Sequence, residues 1–451
     1  MDRNIYAEPA RAVSVLCEYD VVVAGGGPAG CAAAIYAARH GAKTLLIEKE
    51  GYLGGATVAQ LVIPILSTNG VDFQGVWHEW AQALKKRNGI TEITRQRRFN
   101  AHWYVGSVDP EMVKYAWDEL LDEAGAHILH YVLVAGAIVG NGTIQGILVE
   151  TKAGRRAILA KRVVDCTGDA DVCAQAGVPW EQGVNGKPWA MGVSLNHRFG
   201  GVPRPPDYVP GHGVSGKGYV GCGRSMGNTP DHTGGLLRLL RVDPLDPWDL
   251  TRVAREGRAQ IWERIQRRNQ QSGQEGVYLV QTASQPGVRS SRRVHGIATA
   301  TAQDAWDFRK YPDGIARSSW EIDIHPAESA TGKGVEFESE AYKPHIERSK
   351  QGDYFDIRYG CIIAQEIDNL LVAGRCLSAE HEAQSSLRIQ QTCMATGQAA
   401  GTAAAMSLKN NVTPRELDPV KVVTQLEKDR AAIGPAFGIL RDLPQVERVF
   451  G

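Results

Sequence analysis

Val21-Val22-Val23-Ala24-Gly25-Gly26-Gly27-Pro28-Ala29-Gly30 is the stretch on which the reading of this chain turns. Four uncharged apolar residues in a row fit a strand buried on both faces of a parallel sheet. The glycines after it fit a tight turn into a helix, at the spacing G-x-G-x-x-G. Gly25 permits the turn, Gly27 lets the backbone approach a pyrophosphate, and Gly30 lets the helix pack on the strand. The helix N-terminus would then face the phosphate charge. Such a motif alone is weak, since glycine turns open many helices. Residues 43–48 supply the context: a second strand ends at Glu48, 23 residues after Gly25, where a carboxylate accepts a hydrogen bond from a ribose hydroxyl. Gly41 stops the intervening helix. The whole is a βαβ unit for a dinucleotide.

Outward from this unit, residues 77–86 and 110–124 pattern as helices, the second opening with Asp109 as N-cap and Pro110 at its first position. Residues 127–164 alternate β-branched runs with turn signals such as Asn141-Gly142, which predicts a small antiparallel sheet. Residues 201–235 are dense in Pro and Gly and predict a loop. A basic helix is expected over 252–268, with Val253, Ile261 and Ile265 near one face. A strand at 370–373 leads to a helix over 388–407, and Asp418 with Pro419 opens a last helix. The chain has no internal repeat.

Composition bounds the function. The 451 residues include 50 Lys+Arg against 50 Asp+Glu and are 43% hydrophobic, enough for two or three domains with a large core. Zero net charge leaves no electrostatic footprint for nucleic acid or an anionic membrane. The 50 glycines have no collagen-like period. A disordered chain, a fibre and a nucleic-acid scaffold are excluded. The basic runs at 85–87, 95–98 and 264–268 are expected to be solvated helix ends. Residues 1–20 carry Asp2, Glu8 and Glu18 without an apolar run, so no secretory signal is expected. The uncharged residues 21–38 contain four glycines and a proline, which fits a buried strand, turn and helix rather than a bilayer span. Eight cysteines form no C-x-x-C pair and no metal-ligand spacing. The expectation is a cytoplasmic protein with reduced thiols and no metal, its oligomeric state open.

Gly51-Tyr52-Leu53-Gly54-Gly55 extends the site beyond the second strand, which an ordinary nicotinamide unit does not require. Val163-Val164-Asp165-Cys166-Thr167-Gly168-Asp169 looks like a strand and turn that return to the first glycine loop. Asn369-Leu370-Leu371-Val372-Ala373-Gly374-Arg375 looks like a late flavin-contacting segment. Its partner is Ser385-Ser386-Leu387-Arg388-Ile389, leading into Gly397-Gln398-Ala399-Ala400-Gly401. To these are added Gly287-Val288-Arg289-Ser290-Ser291-Arg292-Arg293, Tyr311-Pro312-Asp313-Gly314-Ile315-Ala316 and Ile322-Asp323-Ile324-His325. With these segments the chain resembles the FAD-dependent oxidoreductase family of the glutathione-reductase-like superfamily, in which fumarate-reductase-type flavoproteins are more distant members. The resemblance covers residues 19–60, 109–180 and 285–405.

That resemblance implies an α/β fold: a Rossmann-type, glutathione-reductase-like FAD-binding domain, discontinuous over 1–180 and 355–410. A separate α+β substrate domain over 181–354 and a helical tail over 411–451 would complete the chain. The cofactor-binding residues expected are Gly25, Gly27, Pro28, Ala29, Gly30, Glu48, Lys49, Gly54, Gly55, Val134, Thr167, Gly168, Asp169, Gly374, Arg375, Arg388 and Ile389. A helix starting near Ser386 would aim its dipole at the flavin. Gly397, Ala400, Gly401 and Ala404 would let that helix pack closely on the first one.

Absences narrow the chemistry. Ala56-Thr57-Val58 offers neither a redox cysteine pair nor a histidyl or cysteinyl flavin link. Gly374-Arg375-Cys376 departs from the Gly-Asp pattern of aromatic hydroxylases in this superfamily. The base candidates are His381, in the flavin-facing loop, and His325; a structural hydrogen bond competes for each. Arg289 and Arg292 would clamp a substrate carboxylate or pair with acidic residues. Cys376 and Cys393 read as inert buried thiols. The expected activity is oxidation of a small polar metabolite by hydride transfer to flavin N5, with oxygen, a quinone or another carrier as electron acceptor. An ene-type reduction of a conjugated acid is one alternative. A dinucleotide-binding protein without flavin turnover, or one that uses NAD, is another.

Overall fold

The computed structural model describes residues 8–98, 101–202, 224–225, 231–234, 238–328, 348 and 352–434. Its main sheet is built from β1 (Val15–Ala24), β2 (Thr44–Glu48), β3 (His127–His130), β4 (Leu133–Gly140), β5 (Thr143–Thr151), β6 (Gly154–Asp165) and β7 (Leu370–Val372). The helices used below are α1 (Pro28–Arg39), α2 (Val76–Lys86), α3 (Pro110–Ala124), α4 (Pro247–Asn269), α5 (His381–Leu387), α6 (Gln390–Lys409) and α7 (Pro419–Lys428).

Strand order is β3-β2-β1-β6-β5-β4, with β7 added beside β6. The pairs β3–β2, β2–β1, β1–β6 and β6–β7 are parallel. The strands β4, β5 and β6 run antiparallel. Residues 127–164 therefore do not make a sheet of their own: β3 extends the parallel set, and β6 belongs to both halves. The turn at Asn141-Gly142 accounts for the difference, because a local hairpin signal says nothing about what the last strand does next. β1 also starts earlier than residue 21. Residues 15–20 pair with β6, Val15 opposite Ala157 and Tyr19 opposite Ala160. Their side chains stay partly exposed, so hydrophobicity reveals only the buried half of the strand. The result is a mixed α/β fold with a parallel Rossmann-like sheet.

Capping residues start the helices. Asp109, Asp246 and Asp418 each accept a backbone N–H from the first turn of α3, α4 and α7, at 2.8, 2.7 and 3.0 Å. Each is followed by a proline whose missing N–H costs nothing there. Asp246-Pro247 starts α4 five residues ahead of the expected 252, by the same signal that locates α3. The basic run 95–98 lies in a strand, Thr94–Arg98, rather than at a helix end. Lys86 and Arg87 do close α2, where both pair with Glu119 of α3. Of the expected loop 201–235, residues 203–223, 226–230 and 235 lie outside the described residues. The strand His232–Gly234 within it pairs with His197–Gly200.

Helix α6 is buried along nearly its whole length and lies against α1. A Cβ on Gly397 would stand 2.0 Å from the Ala29 carbonyl oxygen, and one on Gly401 2.0 Å from that of Ala33. Both pairs are spaced i, i+4, so one row on each helix forms the contact. Two helices of glycine and alanine thus meet backbone to backbone. Gly401→Ala is expected to destabilise the protein by roughly 1 kcal/mol: overpacking costs ~1–3 kcal/mol and outweighs the ~1 kcal/mol that alanine gains in helix propensity. The midpoint of chemical denaturation reads the sign.

Among the described residues no helix is long and apolar enough to cross a membrane, and no His/Cys/Asp/Glu group is placed to hold a metal ion.

Candidate functional site

A cavity of about 350 Å³ opens between the β1–α1 turn, the end of β2, the turn after β6, the start of α6 and the segments around 285–289 and 320–325. Its floor is set by close approach of two turns. Gly25 has φ +101°, and a Cβ there would lie 2.5 Å from the Cys166 carbonyl oxygen. Gly30 lies outside the cavity lining and does the packing expected of it, its absent Cβ making room for Gly25. Gly27 differs. Its φ of −74° suits any residue, and a Cβ would meet only Gly55 Cα, at 3.9 Å. No protein atom requires glycine there, yet a side chain would fill the cavity where α1 begins with no side-chain cap on its N–H groups. This is a cradle for an anionic phosphate.

Glu48 takes N–H groups from Gly26 at 2.6 Å and Glu50 at 2.9 Å, which fix its carboxylate at the cavity edge. Gly54 does not line the cavity; its N–H bonds the Gly26 carbonyl at 2.8 Å and ties the second glycine cluster to the first. Lys49, Gly55, Pro28 and Ala29 do line it. Val134 does not: it sits in β4 opposite Val149, packed on the core.

Asp165 shapes the next turn, accepting from Thr167 N at 3.0 Å, Thr167 Oγ1 at 2.7 Å and Cys173 N at 2.9 Å. Thr167, Gly168 and Asp169 then line the cavity. Asp169 receives Ser291 Oγ at 2.5 Å and Arg375 Nη2 at 2.8 Å. Burial alone would raise its carboxyl, but the Arg375 charge and these bonds hold it below the usual range. Gly374, Arg375, Arg388 and Ile389 complete the expected set along the wall.

The helix expected to start near Ser386 starts at Gln390. α5 ends at Leu387, and Ile389 is extended, with φ −66° and ψ 143°. The break frees Arg388 to reach Asp323, while Ser386 Oγ turns back to the Trp320 carbonyl. No side chain caps α6, so its first N–H groups face the cavity lined by Ile389, Gln390 and Gln391. Gln390 and Gln391 pin this end through Val62 O and Leu66 O, at 2.8 and 2.5 Å.

The opposite wall carries Arg289, Trp320, Asp323, His325 and Arg388. His325 Nε2 lies 3.2 Å from Asp323 Oδ1, and Arg388 Nη2 donates to Asp323 Oδ2 at 3.0 Å. Burial would raise Asp323, but the His325 hydrogen bond and the Arg388 and Arg289 charges hold it well below the carboxylate range. Burial pushes His325 down to about 4, overriding the aspartate's pull. The imidazole is therefore neutral at pH 7.

Two expected residues point elsewhere. Arg292 lies three positions past Arg289 in extended chain, hence on the other face. It donates to Asp169 O at 2.8 Å and Asp171 at 3.1 Å, and stacks on Trp180. His381 opens α5 beside Arg293 and Glu181, is 9% exposed, and is absent from the cavity lining. His381→Ala is expected to leave anaerobic flavin reduction within about twofold of the parent, as changes remote from a site do; stopped-flow absorbance measures it. Arg388 takes the place expected of Arg292. Ser194, Asn196 and Gln285 also line the cavity, and no spacing or periodicity in the sequence marks them.

The family model described as FAD dependent oxidoreductase matches residues 20–427. The chain is 32% identical over 222 residues to thiamine thiazole synthase of Sulfolobus acidocaldarius, covering 44% of this chain and 76% of that one. It is 36% identical over 117 residues to 3-oxosteroid 1-dehydrogenase of Mycobacterium tuberculosis, covering 26% of this chain and 18% of that one. Against dihydrolipoyl dehydrogenase of Mycoplasma pneumoniae it is 31% identical over 134 residues, 30% and 24% of the two chains. The chain thus spans three quarters of the first relative but under a quarter of the other two. A solved triple mutant of the flavin-dependent brominase Bmp2 aligns with TM-score 0.50 and 13% identity over 91% of this chain and 84% of that one, a likeness of fold alone. The family match sets aside the reading without redox turnover: the chain belongs to the FAD dependent oxidoreductase family, and FAD is its cofactor.

Proposed function

We propose that the chain oxidises a small polar metabolite, with His325 as the general base. The observation that carries this reading is a neutral imidazole on the cavity wall, oriented by a carboxylate that stays ionised. Bound FAD supplies a two-electron acceptor at flavin N5. With Nε2 turned to Asp323, His325 Nδ1 is the nitrogen left to take a proton from a substrate hydroxyl or amine. Asp323 then faces the imidazolium and offsets its charge, while Arg388 keeps Asp323 from turning away. Trp320, Val62 and Leu66 contribute apolar wall that excludes water. Oxygen, a quinone or another carrier would take the electrons onward.

The test is anaerobic mixing of the yellow protein with a panel of hydroxy and amino metabolites. Bleaching of the flavin band by one of them supports the reading. The rate should fall as pH drops through about 4, where His325 becomes protonated, and not near the ~6.5 of an unperturbed histidine. A panel that never bleaches the flavin, while conjugated acids reoxidise the reduced protein, would replace it with ene-type reduction. The pair Arg289 and Arg388 suits a substrate carboxylate in either direction of the reaction.

A further inference from the structure

Among the described residues, two arginines of the cavity wall, Arg289 and Arg388, face one carboxylate, Asp323. Arg289 Nη1 is spent on Gly192 O at 2.7 Å and Ser194 Oγ at 2.8 Å, which hold the guanidinium still. Its Nε and Nη2 make no hydrogen bond among the described residues. Arg388 gives Nη2 to Asp323, and its buried Nε has no partner among the described residues. Both arginines line the same cavity, together with Asp323 as the carboxylate between them and a histidine that is neutral. Burial and then the Arg388 charge push Arg289 down to about 9, so the two guanidiniums repel each other across this space.

A buried donor left unmade costs free energy, and a buried charge without a counter-ion costs more. The ring system of oxidised flavin is uncharged and cannot supply the missing anion. We propose that Arg289 and Arg388 form an anion subsite that holds the carboxylate of a monoanionic substrate beside His325. One anion balances the two guanidiniums against Asp323. The free Nε–Nη2 fork of Arg289 matches a carboxylate, and Arg388, with Nη2 held by Asp323, adds its charge beside it. This subsite names the substrate class of the reaction proposed above and rests on that reading for its role, but not for its detection.

Binding is read without turnover. The oxidised FAD-loaded protein is titrated with glycolate and 2-furoate, and in parallel with glycolamide and 2-furamide, following the flavin difference spectrum. The acids are expected to bind about tenfold or more tightly than the matched amides, as charge-assisted pairing requires. Arg289→Met and Arg388→Met should each weaken the acids by about tenfold or more. The Arg289 change should leave the amides and the FAD content as they are. Equal affinity of acids and amides in the parent protein, or no spectral response to either, overturns the subsite whatever the variants do. Loss of FAD from both arginine variants also overturns it, by assigning these side chains to the cofactor. A metabolite panel that fails to bleach the flavin would sink the oxidation reading alone, since the titration needs no reduction.

Discussion

Gly27→Val is expected to give a folded protein that no longer holds FAD. The backbone there has φ −74° and an open approach, with only Gly55 Cα within 4 Å of a Cβ. The fold should therefore lose no more than about 0.5 kcal/mol. The valine methyls instead occupy the cavity in front of α1, whose first N–H groups have no side-chain partner. Two hydrogen bonds to charged phosphate are worth ~1.5 kcal/mol or more each. Their loss corresponds to roughly 100-fold weaker binding at 1.4 kcal/mol per tenfold. Flavin absorbance per mole of purified protein, beside an unchanged denaturation midpoint, is the measurement. Stoichiometric FAD in this variant would move the cofactor out of the glycine cradle.

His325→Ala should slow anaerobic flavin reduction by roughly 10²–10⁴-fold, the range for a lost general base, while FAD content and spectrum stay as they are. Its ring pairs with Asp323 rather than with a group of the glycine loops. The pH profile separates a base from a structural group. In the parent the rate is lost as pH falls through about 4; in the variant that limb should vanish, leaving a flat, low rate. A variant that keeps the parent's rate and its acid limb would return His325 to a structural role.

How much of the fold and the site is legible in the sequence depends on the range of each signal. The βαβ unit, the glycine cradle and Glu48 are local features, and local spacing reveals them. The Asp-Pro caps are local too, although Asp246 shows that a signal can be present and passed over. The close packing of Gly397 and Gly401 is legible because glycine at i, i+4 weakens a helix unless a neighbouring backbone needs the room. The failures at the site are questions of direction. His381 follows Arg375 by six residues, but as the first residue of α5 it is turned toward Arg293. Arg292 is near Arg289 in sequence and on the opposite face in space. Arg388, expected at the cofactor, stands by the substrate wall as well, because a two-residue break between α5 and α6 swings it toward Asp323. Ser194 and Asn196 come from a segment whose register depends on distant strands, and such pairing leaves no mark on a single sequence.

The meeting of α1 and α6 has a consequence for how the protein is made. The first helix leaves the ribosome about 350 residues ahead of the partner that covers Ala29 and Ala33. At ~5–20 residues per second this leaves on the order of tens of seconds in which the nucleotide-binding half is exposed and unfinished. FAD capture is therefore expected only after α6 has been made, and a message truncated before α6 is expected to yield no partly active product. Supply of FAD at that moment selects between a chain that closes around its cofactor and one that waits, with its glycine face open, for a chaperone or a protease.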